Sequence, residues 1–150
     1  MSSLLDACPS GLLLEPPVPQ TLDTNLVPFA DELVAGLTEP QTQVFNHPAR
    51  FRMLAAGRRF GKTHLSLVQL IVWAAAKSGS LNWYLAPTYR AAKSIAWRQL
   101  KAMVPQELFA DKNEVDLSIE LINGSRIELK GGDRYDSLRG NSLSNCILDE

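Results

Sequence analysis

Cysteine is nearly absent from this 150-residue chain, which has two, Cys8 and Cys146. They sit in unlike surroundings, a proline-rich stretch and an apolar run. That excludes a disulfide framework or a thiolate metal centre as the organising feature, and reduced intracellular thiols are the simpler reading. Histidine is equally scarce, and His47 and His64 have no partners at metal-ligand spacing. Long apolar runs are missing too. The longest, Leu67 to Ala76, is interrupted by Gln69 and falls short of the roughly 20 residues a bilayer span requires. No Lys or Arg precedes Arg50, so the basic start of a signal peptide is not there. No internal repeat is visible. These absences lead us to expect a soluble, cytoplasmic protein.

What is present is ordinary in bulk: 45% hydrophobic and 21% charged residues, in a length that suits one domain with a real core. The net charge of -1 conceals an asymmetry, because Asp6, Glu15, Asp23, Asp31, Glu32 and Glu39 all precede the first basic residue. The remainder is mildly basic. That suits a polyanionic ligand and suits a plain solvated surface equally well.

Residues 1–25 carry Pro9, Pro16, Pro17 and Pro19 without helical or strand period, and read as a flexible leader. The domain then runs from 26 to 150. Apolar residues at Leu26, Phe29, Ala30, Leu33, Val34 and Leu37 have helix spacing, and Pro40 to Phe45 reads as a second short helix. Phe51 to Ala55 is expected to be a strand, His64 to Ala76 a long helix, Leu81 to Ala86 a buried strand, and Thr88 to Met103 another helix. Two alternating runs, Leu117–Ile122 and Arg126–Lys130, flank Asn123-Gly124 and predict a hairpin. Cys146-Ile147-Leu148 reads as a last buried strand. Strands separated by helices imply an α/β fold with a mainly parallel sheet. Trp73, Trp83, Tyr84 and Trp97 fall on apolar faces, while Arg90, Lys93, Arg98 and Lys101 form a solvated helix stripe.

Between the first expected strand and the long helix lies Ala56-Gly57-Arg58-Arg59-Phe60-Gly61-Lys62-Thr63. A glycine loop in that context is a phosphate loop. Its N–H groups would wrap a phosphate at a helix N-terminus, where the dipole favours negative charge. Lys62 would reach the β- and γ-phosphates of a nucleoside triphosphate, and the Thr63 hydroxyl would hold Mg²⁺. The motif departs from its usual form at Ala56, which stands where glycine is common, so the tight turn rests on Gly57 and Gly61.

Binding is not hydrolysis, which also needs a carboxylate beside Mg²⁺, a group acting on water, and positive charge at the γ-phosphate. Asp149 and Glu150 end the last apolar strand, at the sheet edge where α/β folds bind ligands. Asp149 would hold the metal and Glu150 would activate water. Arg58 or Arg59 in the loop, and Arg139 in the glycine-flanked stretch Leu138-Arg139-Gly140, could supply the charge.

These segments together, with Leu85-Ala86-Pro87-Thr88, resemble the large terminase subunit of tailed bacteriophages, from about Leu37 to Glu150. The resemblance implies a P-loop NTPase of the additional-strand, catalytic-glutamate type that uses ATP and Mg²⁺ to package viral double-stranded DNA into procapsids. It implies portal protein, a small terminase subunit and a homo-oligomeric ring as partners, in the cytoplasm of an infected bacterial host. It assigns Arg58 to sensing the γ-phosphate and Arg139 to a finger on the neighbouring subunit. It also calls for a glutamine contacting adenine, with Gln41 the better match and Gln43 the rival. The family continues beyond this point with further strands and a metal-dependent nuclease domain, so residues 1–150 are expected to form an incomplete sheet and a fragment. Asp133 and Asp136, the close acidic pair in the last polar loop, read as solvated residues and not as nuclease ligands. A helicase-like ATPase and a catalytically inactive nucleotide-binding or assembly module remain alternatives.

Overall fold

The computed structural model describes residues 26–133 and 138–149. The expected leader, Asp136 and Glu150 lie outside them. Helices α1 (Leu26–Ala35), α2 (Glu39–Phe45) and α3 (Lys62–Ala76) come first. Strand β1 (Leu81–Ala86) follows, then a continuous helical run made of α4 (Tyr89–Ala91), a π-helical stretch (Ala92–Trp97) and α5 (Arg98–Met103). A 3₁₀ turn at Gln106–Leu108 leads to β2 (Phe109–Asn113), β3 (Ser118–Leu121), β4 (Arg126–Gly131) and β5 (Asn145–Leu148).

The strands form one sheet in the order β2-β3-β4-β1-β5. β1 pairs in parallel with both β4 and β5, while β2–β3 and β3–β4 are antiparallel. The expected parallel centre is therefore present, and the expected hairpin extends it into a mixed sheet. β2 has too little alternation in Phe-Ala-Asp-Lys-Asn to be recognised in the sequence; its register with β3 also shifts between Phe109 and Asp111.

One expected strand does not form. Phe51 to Ala55 runs without ladder partners, and Phe51 and Met53 are 83% and 98% exposed. Side chains hold the segment instead. Arg52 donates to the carbonyls of Val44 and Phe45, both at 2.9 Å, and to the Gln69 side chain, and its guanidinium lies over the Trp73 ring. Five donors on one planar group can tie three elements together where no neighbouring strand supplies hydrogen bonds.

Strand alternation puts Tyr84 and Ala86 of β1 on the same face as Ile127 and Leu129 of β4. These side chains, with Leu67, Leu70, Ile71 and Ala74 of α3 and Ala92, Ala96, Trp97 and Leu100 of the helical run, make the core. The opposite face carries Trp83, whose Nε1 donates to Glu128, in a network with Lys130 and Arg126. Gly131 passes so close to the helix start that a Cβ there would lie 2.2 Å from the Tyr89 nitrogen. Among the described residues no helix is long and apolar enough to cross a membrane.

Candidate phosphate-loop site

Helix α3 begins at Lys62, directly after Gly61 in the left-handed region at φ +84. Arg59 also adopts positive φ, at 68, so two residues of the loop are left-handed before the helix starts. Gly57 to His64 with Gln99 of α5 surround a concavity of about 330 Å³. The first residues of a 15-residue helix line the same concavity, and a helix N-terminus favours an anion there.

The Lys62 ammonium donates to the Ala56 carbonyl at 2.8 Å, closing the loop on itself. Arg58 and Arg59 are exposed at the rim. Arg139 is exposed in the turn before β5, next to Gly140 at φ +85. Neither loop arginine is brought against Arg139 by any described contact.

Gln41 reaches the phosphate loop from the start of α2. It is 5% exposed, its Oε1 accepts from the Thr38 N–H at 3.0 Å, and its Nε2 donates to the Phe60 carbonyl at 2.8 Å. A Cβ on Gly61 would lie 2.6 Å from that Nε2. In this structure Gln41 is a brace between the start of α2 and the phosphate loop. Gln43 instead lines a groove of about 390 Å³ between α2 and residues 51–54.

The acidic strand end lies where the sequence placed it. β5 runs parallel to β1, and the Asp149 N–H continues their ladder by donating to the Leu85 carbonyl at 2.8 Å. The half-buried Asp149 side chain accepts a hydrogen bond from the Tyr84 hydroxyl. Thr63 of the phosphate loop lies near the same hydroxyl. Burial foremost, then the Asp149 carboxylate, push the Tyr84 phenol far above its ordinary range, so it remains a neutral donor. Tyr84 and Asp149 thus join β1 to the end of β5, with Thr63 at the start of α3 near them.

Tyr84 and Gln99 are the residues the sequence reading missed. A signal for Tyr84 existed: a tyrosine on a core face needs a partner for its hydroxyl, and Tyr84 alternates onto the same face as Ala86. Gln99 offered none, because its direction depends on the π-helical stretch before it. Asp133, read as merely solvated, is exposed but accepts from the Tyr89 N–H at 3.3 Å at the start of the helical run. Among the described residues no cluster of His, Cys, Asp and Glu could hold a metal ion by itself.

No family model matches the chain. The large terminase subunits of Thermus phage G20c and Thermus virus P23-45 are each 27% identical to it, over 73% of this chain and 27% of the relative. The chain therefore spans about a quarter of the length of these relatives. Among solved structures, the large terminase ATPase domain of Thermus phage P74-26 aligns with a TM-score of 0.68 and 26% identity, covering 79% of this chain and 55% of that one. By sequence the chain is similar to phage large terminase subunits, and by fold to a terminase ATPase domain.

Proposed function

We propose that this chain is the nucleotide-hydrolysing part of a viral DNA-packaging motor, an ATP hydrolase whose turnover drives double-stranded DNA into a procapsid. One observation carries the reading. Asp149 at the end of β5 accepts from the Tyr84 hydroxyl, and Thr63 of the phosphate loop, distant in sequence, lies near that hydroxyl. A metal-nucleotide site needs that convergence, and a phosphate loop alone does not produce it.

In this reading the N–H groups of residues 57–63 hold the phosphates against the start of α3. Lys62 turns from the Ala56 carbonyl to the phosphate oxygens. Thr63 and Asp149 are hard oxygen donors, the chemistry Mg²⁺ selects. Mg²⁺, when bound, would draw charge from the phosphates. Glu150, next in the chain, takes the proton of the attacking water. Arg58, at the rim, and Arg139, from a neighbouring subunit of a ring, offset charge developing at the γ-phosphate. Portal protein and a small terminase subunit are the proposed partners, within the cytoplasm of an infected bacterium. Nuclease activity is assigned to full-length relatives and to none of these residues.

The test is ATP turnover with and without double-stranded DNA, in the unsubstituted chain and in Glu150→Gln. We expect Glu150→Gln to bind ATP and to turn it over at least about 100-fold more slowly, the scale of a lost general base. Unchanged turnover in Glu150→Gln sinks the assignment. Duplex unwinding by the unsubstituted chain would favour a helicase-like enzyme instead.

A further inference from the structure

We infer that Tyr84 is a positioning residue for the cation site: its hydroxyl donates to Asp149 and fixes the orientation of that carboxylate beside the phosphate loop. The inference rests on the nucleotide-site reading above and gives it a residue that the motifs do not contain.

Three observations support it. Tyr84 is 1% exposed and sits on β1, the strand flanked by both β4 and β5. Its backbone is fixed in register on both sides, opposite Leu129 and Ile147. A side chain anchored this way has little freedom, so its hydroxyl is a fixed point. Phenylalanine would fill the same core volume; the hydroxyl adds its hydrogen bond, and that bond goes to Asp149, a proposed cation ligand.

The direction of that bond is chemically consistent. The tyrosine gives its proton to Asp149 Oδ2. Asp149 Oδ1 would remain to be offered to a cation. Groups that orient metal ligands in this way tune metal affinity strongly.

The experiment is equilibrium binding of a fluorescent ATP analogue to the full chain over a titration of Mg²⁺, repeated in EDTA. Unsubstituted protein, Tyr84→Phe, Asp149→Asn and the double variant are compared. We expect Tyr84→Phe to raise the Mg²⁺ needed for half-maximal binding by roughly 10–100-fold, with affinity in EDTA unchanged. In the Asp149→Asn background the same substitution should add little, because its effect acts through that carboxylate. An unaltered Mg²⁺ midpoint in Tyr84→Phe overturns the inference, and so does a full effect in the Asp149→Asn background. Should Tyr84→Phe not fold, fluorotyrosine at position 84 gives the second readout. Its fluorine resonance should move when Mg²⁺ joins bound nucleotide, and a stationary resonance overturns the inference. If the unsubstituted chain binds no nucleotide at all, the functional reading beneath falls as well, which separates the two failures.

Discussion

The Nε2 of Gln41 lies 2.8 Å from the carbonyl of Phe60, so the second helix holds the phosphate loop by its backbone. The same amide accepts from the Thr38 N–H through its oxygen. One buried side chain thus sets both the start of α2 and the shape of the loop.

Replacing it makes the distinction between brace and base contact measurable. Gln41→Ala leaves the part-buried Phe60 carbonyl and Thr38 N–H without their partner, a loss of about 0.5–1.5 kcal/mol for each bond. We expect lower thermal stability and weaker binding of ATP and GTP by equal factors. Binding of both nucleotides by isothermal calorimetry checks this. A loss confined to ATP would return Gln41 to an adenine contact.

Gly61 is constrained twice, by φ +84 and by the Gln41 amide 2.6 Å from where a Cβ would stand. Gly61→Ala should cost about 1–2 kcal/mol from the left-handed backbone alone. Displacement of Gln41 adds to that. The expected result is a lower melting temperature and loss of nucleotide-induced stabilisation. Gly57→Ala, with open space around its Cβ position, should be far milder in the same thermal scan.

Lys62→Ala removes the ammonium that closes the loop on Ala56. Because that bond is part of a half-buried loop and not of the core, folding should survive within about 1 kcal/mol. ATP-dependent thermal stabilisation and turnover should both be lost. Retained turnover in a folded Lys62→Ala protein contradicts the phosphate-loop assignment.

Glu114 provides a pH test away from the site. It accepts from Trp97 Nε1 at 2.6 Å and pairs with Lys101 at 2.9 Å. The Trp97 N–H, then Lys101, draw its pKa down from 4.5 to about 2. A folded-state pKa below the unfolded one means stability that is fully present above about pH 4.5 and lost as pH falls toward 2. The group is exposed and solvent-screened, so the effect should be small. Glu114→Gln should have a lower urea midpoint than the unsubstituted chain at pH 7, and the difference should shrink through that acidic window. Urea titrations followed by tryptophan fluorescence at several pH values check both sign and range.

Much of this arrangement could be read from residue order. Gly61-Lys62-Thr63 before an apolar helix, Asn123-Gly124 between alternating runs, and the apolar triplet ending in Asp149 are local signals, and each element formed. β5, however, is not the buried strand expected: it pairs on one side only among the described residues, with Cys146 exposed and Leu148 78% exposed. Phe51 to Ala55 failed because a strand is a property of its neighbours. The pattern was apolar enough, but no described residue supplies a ladder, and Arg52 fixes the segment through side chains. β2 went unseen for the converse reason, since its pairing with β3 compensates for poor alternation. Gln41 and Tyr84 were legible as residue types only. Their roles depend on what stands opposite them in space, Phe60 for one and Thr63 with Asp149 for the other, and no spacing rule conveys that.

The π-helical stretch from Ala92 to Trp97 fits more residues into its turn than an α-helix would, so everything after it is rotated relative to what came before. Trp97 and Leu100 are buried, and Gln99 between them faces the phosphate-loop concavity. The facing of Gln99 is therefore governed by a count of residues upstream and not by any residue type. Shortening the stretch by one position would turn Gln99 about 100° around the helix axis while leaving every side chain of the concavity unchanged in identity. Relatives that differ here by a single insertion or deletion would look alike motif by motif, yet present a different wall to the nucleotide.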